Sequence, residues 1–382
     1  MKFVVLGGYG IIGSNVVKDL VRFSKNADIV IAGRDMKKAK TYAQTFKSKH
    51  VTAAGFDVTN EQSLINVCMG ADVVVNCVQY YYNVVIMKAC LQARTHYVDL
   101  GGMFHYTKKQ LALAREFESI GKCALLGIGA APGISNVLAY YGARSLKKVK
   151  SVEIVFADKD DTVYSQAFVL PYSFKTLVDE FTMKPAVFKN NKVWFVEPKS
   201  GDKEYDFGKE FGIQKGFLTL HSEIATLPSS LKDKGIRECE FRVTFPRAFS
   251  ETIDSLIKLG FTQEEVIKRG DKQASWLDVS AALMDRLLPK EGTTIKDKEI
   301  IRVILNKGEL IMDAITHSDG KTSAGVLDTA IPCSIAAQML AAGNMNKSGV
   351  FPAEIAVEPG YLFKELRRRN IQVFQNGKEL KL

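Results

Sequence analysis

The opening of the chain restricts its fold more tightly than any other segment. Phe3-Val4-Val5-Leu6 is a continuous apolar run, as expected of a strand buried on both faces of a parallel sheet. It runs into Gly7-Gly8-Tyr9-Gly10-Ile11-Ile12-Gly13, which holds G-x-G-x-x-G at Gly8, Gly10 and Gly13. Ser14 to Phe23 follows with helical spacing through Val17, Leu20 and Val21. Gly8 permits a tight turn, Gly10 lets a pyrophosphate approach the backbone, and Gly13 lets the helix pack close to the strand. The helix start then offers unpaired N–H groups and a partial positive charge to phosphates. Strand, turn and helix in this order predict a doubly wound α/β domain that holds a dinucleotide on Gly8, Tyr9, Gly10, Ile11, Ile12 and Gly13.

The second strand, Asp28 to Ala32, ends in Gly33-Arg34-Asp35. An acidic residue at this strand end hydrogen-bonds the ribose 2′-OH of NAD. Here the position is Gly33, which leaves room for a 2′-phosphate, and the guanidinium of Arg34 can pair with one. NADP is therefore preferred, while Asp35, one residue late, keeps NAD open. A third strand end brings Asp57 and Val58 toward the adenine side, although Asp57 can equally cap a helix near Glu61. The fourth strand, Ala71 to Val78, ends in Asn76-Cys77-Val78, placed where a doubly wound sheet binds the nicotinamide ribose. Strands at His96–Leu100 and Ala124–Ile128 complete six, with helices between them.

A chain of 382 residues exceeds what one core organises. The pattern changes after a helix at Ser135–Leu146. Ser151–Ala157 and Glu238–Phe245 alternate as half-wet strands, and Asn190-Asn191 turns a hairpin between Val187–Lys189 and Lys192–Val196. Ile300–Leu305 and Glu309–Thr316 pair across Asn306-Lys307-Gly308, with helices near Phe174–Phe181, Phe249–Leu259 and Ala274–Leu288. This predicts a Rossmann domain over 1–134 and an α+β substrate domain with a mixed, largely antiparallel sheet over 135–319, followed by a last segment, 320–382. A last helix is expected at Thr329–Ala342 with Pro332 in its first turn.

Residues 1–150 carry 20 lysines and arginines against 9 acids, whereas residues 151–382 carry 32 against 33. The basic half admits nucleic acid, a membrane surface or a phosphorylated cofactor as partner. No helix-turn-helix, zinc or aromatic-platform motif supports nucleic acid. No apolar run of bilayer length and no leader-like start is present, which argues against a membrane. A dinucleotide is the simplest anionic partner. Six cysteines without C-x-x-C pairing suggest reduced thiols and a cytoplasmic chain. His50, His96, His105 and His317 have no ligand spacing, so no metal is expected.

Several motifs together resemble the saccharopine dehydrogenase family. They are the glycine loop, Val75-Asn76-Cys77-Val78-Gln79-Tyr80, His96-Tyr97-Val98-Asp99 and Ala131-Pro132-Gly133-Ile134-Ser135-Asn136. Asp99-Leu100-Gly101-Gly102, Thr219 to Pro228, Ile331 to Met339 and Gly349-Val350-Phe351-Pro352 extend the likeness over nearly the whole chain, most closely to the L-lysine 6-dehydrogenase-like branch. The resemblance implies oxidoreduction at the C–N bond of an amino acid of saccharopine or lysine type, with a nicotinamide cofactor, a homodimeric assembly and a last segment, 320–382, that packs back on the nucleotide domain.

Hydride transfer requires only that the substrate carbon be held against the nicotinamide and that one proton on nitrogen be managed. Asp99 at a strand end, Tyr80 after the fourth strand and His221 in the His-Ser-Glu stretch are the catalytic candidates. Asp99 can also be a turn cap and His221 a packed ring. Ser222 and Thr226 are weaker candidates, and Arg242 or Arg247 are cations available for a substrate carboxylate. The alternative to an enzyme is an NADP-binding redox sensor, which needs the glycine loop and Arg34 but not Asp99, Tyr80 or His221.

Overall fold

The computed structural model describes residues 1–381 except 167, 270, 271, 288 and 291. Two sheets carry the chain. The first has seven parallel strands in the order Gly349–Pro352, Cys123–Leu126, His96–Asp99, Val73–Asn76, Lys2–Leu6, Asp28–Gly33 and Val51–Gly55. Phe3, Val4, Val5 and Leu6 are fully buried, which is why this strand reads as an uninterrupted apolar run. The strand order reverses between Lys2–Leu6 and Val73–Asn76. Carboxyl ends on the two sides of such a reversal leave the crevice in which doubly wound sheets bind ligands.

Six of these strands come from the first 126 residues, and the seventh arrives after the second domain has been built. The second sheet has ten strands centred on Ser151–Asp160, Asp297–Leu305 and Leu310–His317. All its pairings are antiparallel except that of Ser151–Asp160 with Glu238–Thr244. The hairpin Ala186–Lys189 with Lys192–Phe195 turns on Asn190 and Asn191, both at positive φ. The predicted helix Ala274–Leu288 is a strand, Lys272–Ser275, followed by a helix, Trp276–Met284, and Leu288 lies outside the described residues.

The returning segment serves both domains. Helix Ala324–Ala341 packs on helix Ile11–Phe23 and Gly349–Pro352 joins the first sheet, but Ile371–Gln375 crosses to the second. Helix Ala324–Ala341 begins earlier than its sequence suggests, because Asp297 Oδ1 accepts the Ala324 N–H at 3.0 Å and starts it there. Pro332 therefore sits in the helix interior instead of its first turn. By length and composition this helix could cross a bilayer, but 72% of it is buried inside the fold, and it serves as a core helix.

Candidate active site

At the nucleotide end the glycine loop has little space to spare. The residue at positive φ is Gly7, not Gly8, so the tight turn falls one position earlier than the motif implies. A Cβ on Gly13 would lie 2.3 Å from the Gly7 carbonyl oxygen, and this close approach fixes the helix against the loop. Gly10 precedes helix Ile11–Phe23, whose first turn carries no capping side chain and no acid. Its N–H groups are thus left for a phosphate.

The space at Gly33 is not empty, as the sequence suggested, but filled by Tyr9. A Cβ there would meet the Tyr9 ring at 2.2 Å, and the Tyr9 hydroxyl accepts the Asp35 N–H at 3.0 Å. Asp35 turns its carboxylate inward as the cap of helix Met36–Thr45, accepting Lys37 and Lys38 N–H at 3.0 Å each. Arg34 is exposed and makes no hydrogen bond or ion pair, but its charge helps to hold the Asp57 carboxyl below its usual range, behind the larger effect of the Thr59 hydrogen bonds. Asp57 is not a helix cap, since Asn60 caps helix Glu61–Cys68. Val58 is buried next to it.

From this end a cleft of about 330 Å³ runs between the two domains. Ile12, Asn76, Cys77, Val78 and Ala131-Pro132 form its nucleotide-domain wall, and Tyr172, Glu180, His221, Phe241 and Glu299 the opposite one. His221 is stacked flat on Phe241, ring centroids 3.9 Å apart, and its Nδ1 is held by Glu223 Oε2. Glu223 is fully buried, and its other oxygen accepts the Ser135 hydroxyl at 2.7 Å. The carboxylate therefore fixes the ring, while Nε2 has no partner on a residue that lines the cleft. Burial alone would drive the imidazole toward its neutral form, but the charge and hydrogen bond of Glu223, with Glu180 behind them, outweigh it and raise its pKa. Glu180 itself is pushed up to about 7, mainly by burial, against the opposing pull of Tyr172 and His221. The Tyr172 hydroxyl donates to Glu180 Oε2.

Asp99 does not reach the cleft. It is 1% exposed and accepts Gly127 N–H at 2.7 Å, Gly101 N–H at 3.0 Å, Tyr97 Oη at 2.9 Å and the amide of Gln110. Its carboxylate ties the Gly101 turn, which lines the cleft, to the Gly127 turn, and these bonds leave no lone pair for a substrate. Tyr80 does line the cleft, but its hydroxyl, like that of Tyr81, donates to Asp179 Oδ2 at 2.6 Å. The pair of tyrosines ties the fourth-strand end to helix Phe174–Thr182 of the second domain. Asn76 is likewise committed, donating to Asn83 at 2.9 Å and Tyr97 at 3.0 Å and accepting Val78 N–H at 3.0 Å. Thr226 accepts the Asn136 amide and lies behind the wall, whereas the Ser222 hydroxyl is buried at the cleft with no partner.

Neither arginine singled out for a substrate carboxylate is near. Arg242 is buried in the second sheet between Glu153 and Glu240, and Arg247 is exposed and paired with Glu251. No lysine or arginine lines the cleft among the described residues, and none of their His, Cys, Asp and Glu groups is arranged for a metal. Two cleft carboxylates escaped the sequence reading. Glu180 stands three residues after Leu177 on the apolar face of its helix, and Glu299 shares a strand face with Ile301, Val303 and Leu305. An acid in an otherwise apolar periodic position was the available signal for both.

A doubly wound nucleotide domain, an inter-domain cleft at its switch point and a carboxylate-held histidine facing that cleft define an oxidoreductase architecture built around a nicotinamide dinucleotide. The comparisons agree: residues 3–125 match the saccharopine dehydrogenase NADP binding domain and residues 129–371 the saccharopine dehydrogenase C-terminal domain. The chain belongs to the saccharopine dehydrogenase family. It is 24% identical over 377 residues to carboxyaminopropylagmatine dehydrogenase of Synechocystis, covering 93% of this chain and 92% of that one. It is 24% identical over 266 residues to carboxynorspermidine synthase of Vibrio cholerae, covering 64% and 63%. The fold superposes on apo saccharopine dehydrogenase (L-Glu forming) of Saccharomyces cerevisiae with a TM-score of 0.73, at 15% identity over 99% of both chains.

Proposed function

We propose that the chain is an NADP-linked oxidoreductase that acts on the C–N bond of an amine built on an amino-acid skeleton. The observation that carries this reading is His221: an imidazole fixed at Nδ1 by a buried glutamate, open at Nε2, on the cleft wall opposite the ends of the nucleotide-domain strands.

The cradle fits NADP. Gly7, Gly8, Gly10 and Gly13 put no side chain on the loop, the first helical turn is uncapped, and Arg34 is a free guanidinium beside the strand end. Asp35 is spent as a helix cap, which favours a 2′-phosphate on Arg34 over a ribose hydroxyl on Asp35. When bound, NADP(H) supplies the hydride: a C=N carbon gains it while its nitrogen gains one proton and the cofactor ends oxidised, or the same atoms move in reverse. His221 Nε2 holds the proton that joins or leaves nitrogen, and Glu223 keeps the ring in register through both states. The domain-spanning clasp of Tyr80 and Tyr81 on Asp179 sets the width of the cleft, which limits water at the reacting carbon.

The two relatives are named for carboxylated amines, which places lysine-type, saccharopine-type and polyamine-type compounds among the substrates to be tried. The six cysteines are unpaired, which suits a reducing compartment such as the cytosol. The test is spectrophotometric: NADPH or NADP, each against NADH or NAD, with lysine, saccharopine and mixtures of an amine with an amino-acid semialdehyde. Turnover with one member, lost in His221→Asn, supports the reading. Tight NADPH binding with no turnover on any member opposes it.

A further inference from the structure

Glu180 is a buried acid that the proton-handling pair of His221 and Glu223 leaves unused. Ser173, the residue before helix Phe174–Thr182, and Thr176 and Glu180 within it follow helical spacing along one face, and all three line the cleft. The Tyr172 hydroxyl donates to Glu180 Oε2, and the Glu180 carbonyl accepts the Thr219 hydroxyl at 2.9 Å, so carboxylate and backbone are both held. Oε1 receives no hydrogen bond from a described residue and opens on the cleft. His221 lies on the same wall, close enough for Glu180 and the imidazole to act on each other's charge.

The rest of the cleft leaves this oxygen as the place where a negative charge can face the reacting group. Glu299, the other acid on the wall, shares a proton with Asp328, and burial with the charge of Asp328 holds it well above the ordinary carboxyl range, so it stays neutral. No lysine or arginine lines the cleft among the described residues. A C=N carbon accepts hydride most readily when its nitrogen is protonated, and a C–N carbon that gives up hydride becomes part of a cationic C=N group. Transfer in either direction thus passes through a positive charge inside the cleft, which is costly unless an anion faces it.

We propose that Glu180 is a catalytic residue whose Oε1 accepts the N–H of the cationic C=N group while Tyr172 fixes Oε2. The inference rests on the C–N reading above. In reduction the proton on His221 Nε2 passes to the imine nitrogen, hydride with its electron pair passes from NADPH to the carbon, and the C=N π pair becomes the nitrogen lone pair. The imine ends as an amine and the cofactor as NADP, and Glu180 neither gains nor loses a proton. Its neighbours set the pH dependence. Burial pushes Glu180 up to about 7, against the pull of Tyr172 and then His221, and Asp179, next to it on the helix, adds a smaller push in the same direction as burial. Reduction should therefore rise with pH as Glu180 ionises and fall as His221 loses its proton.

The experiment uses Glu180→Gln, which keeps the volume and an oxygen for Tyr172 but carries no charge. Acetamidinium, a planar cation shaped like a protonated imine, and acetamide, its neutral counterpart, are titrated into the NADPH complex of the full chain at about pH 8 and followed by ligand NMR. The wild type is expected to bind the cation about tenfold more tightly than the amide, and Glu180→Gln to bind both alike. In steady-state reduction Glu180→Gln is expected to lose about 100-fold in kcat with the KM for NADPH unchanged, and to lose the acid limb of the pH profile, whereas Glu180→Asp keeps that limb. Equal affinity of the wild type for the two ligands, a preference that survives Glu180→Gln, or an acid limb that persists in that variant overturns the assignment. If Glu180→Gln does not fold, the wild-type titration decides: preference for the cation upholds the assignment and equal affinity overturns it. Absence of turnover on every amine and amino acid is a failure of the C–N reading, and Glu180 is then judged as a cation-binding group by the acetamidinium titration alone.

Discussion

Glu223→Gln isolates the charge behind His221 from its shape. Glutamine keeps the volume and an oxygen for the Ser135 hydroxyl, but it removes the buried anion that the imidazolium faces. Breaking one side of a buried, hydrogen-bonded pair costs about 3–5 kcal/mol. The retained Ser135 contact argues for the lower end, and about 3 kcal/mol is roughly 100-fold in any step that needs the protonated ring. The pH dependence has a definite sign. Burial lowers the His221 pKa, and Glu223 and Glu180 raise it above its ordinary value. With Glu223 neutral, burial prevails and the ring gives up its proton at lower pH. Imine reduction consumes that proton, so the deficit in kcat should be small in acid and widen as pH rises. The stability that the raised histidine contributes is present below its unfolded pKa and lost as pH rises through the folded one, so it should shrink in the same variant. Steady-state kinetics across the pH range, with circular dichroism to confirm folding, measure both. A deficit of the same size at every pH, or rates within about threefold of wild type in both Glu223→Gln and His221→Asn, would refute the assignment of the proton to His221.

Other perturbations separate the roles of neighbouring residues. Arg34→Ala should raise the KM for NADPH by about 10- to 100-fold and leave that for NADH almost unchanged, while Asp35→Asn, a cap substitution, should not alter cofactor choice; titration with both cofactors checks this. Tyr80→Phe should reduce kcat by less than about tenfold, because the hydroxyl is committed to Asp179, and lower the melting temperature as the domain clasp loosens. Asp99→Asn should destabilise the fold by about 2–4 kcal/mol in denaturant titrations, since an amide cannot accept every hydrogen bond the carboxylate now takes. The buried acids Asp158, at about 6, and Glu180 and Asp328, at about 7, are raised above their unfolded values mainly by burial. Their contribution to stability is complete below the unfolded carboxyl range and lost as pH rises to these values. The melting temperature of the cofactor-free chain should therefore fall between about pH 4 and 7, and less steeply in Asp328→Asn.

Most of the nucleotide domain could be read from sequence because its signals are local. A buried strand followed by three spaced glycines and an amphipathic helix admits one packing, and Gly13 shows why: even one methyl group would strike the Gly7 carbonyl. Gly349–Pro352 was legible as a motif but not as the seventh strand, because its partner Cys123–Leu126 lies more than two hundred residues away and no local period records that pairing. Residue type was a poor guide to role where burial decided it. Asp99 and Tyr80 have the right chemistry at the right strand ends, but Gly101, Gly127 and Asp179 consume their polar atoms. Arg242 has the right charge in the wrong layer. His221 was visible as a motif residue, but its orientation depends on Glu223, whose carboxylate is in turn held by Ser135, 88 residues earlier in the chain, a contact that no local period records.

The central claim is hydride transfer at a C–N bond, and the most direct measurement follows the hydride itself. NADPH carrying deuterium at nicotinamide C4 is incubated with the full chain, 1,3-diaminopropane or agmatine, and an amino-acid semialdehyde, and the product is examined by mass spectrometry and NMR. The account predicts a secondary amine with one deuterium on the carbon bonded to nitrogen, formed in step with NADPH consumption. NADPH consumed without deuterium at that carbon, or no consumption with any amine or amino-acid substrate, would contradict it.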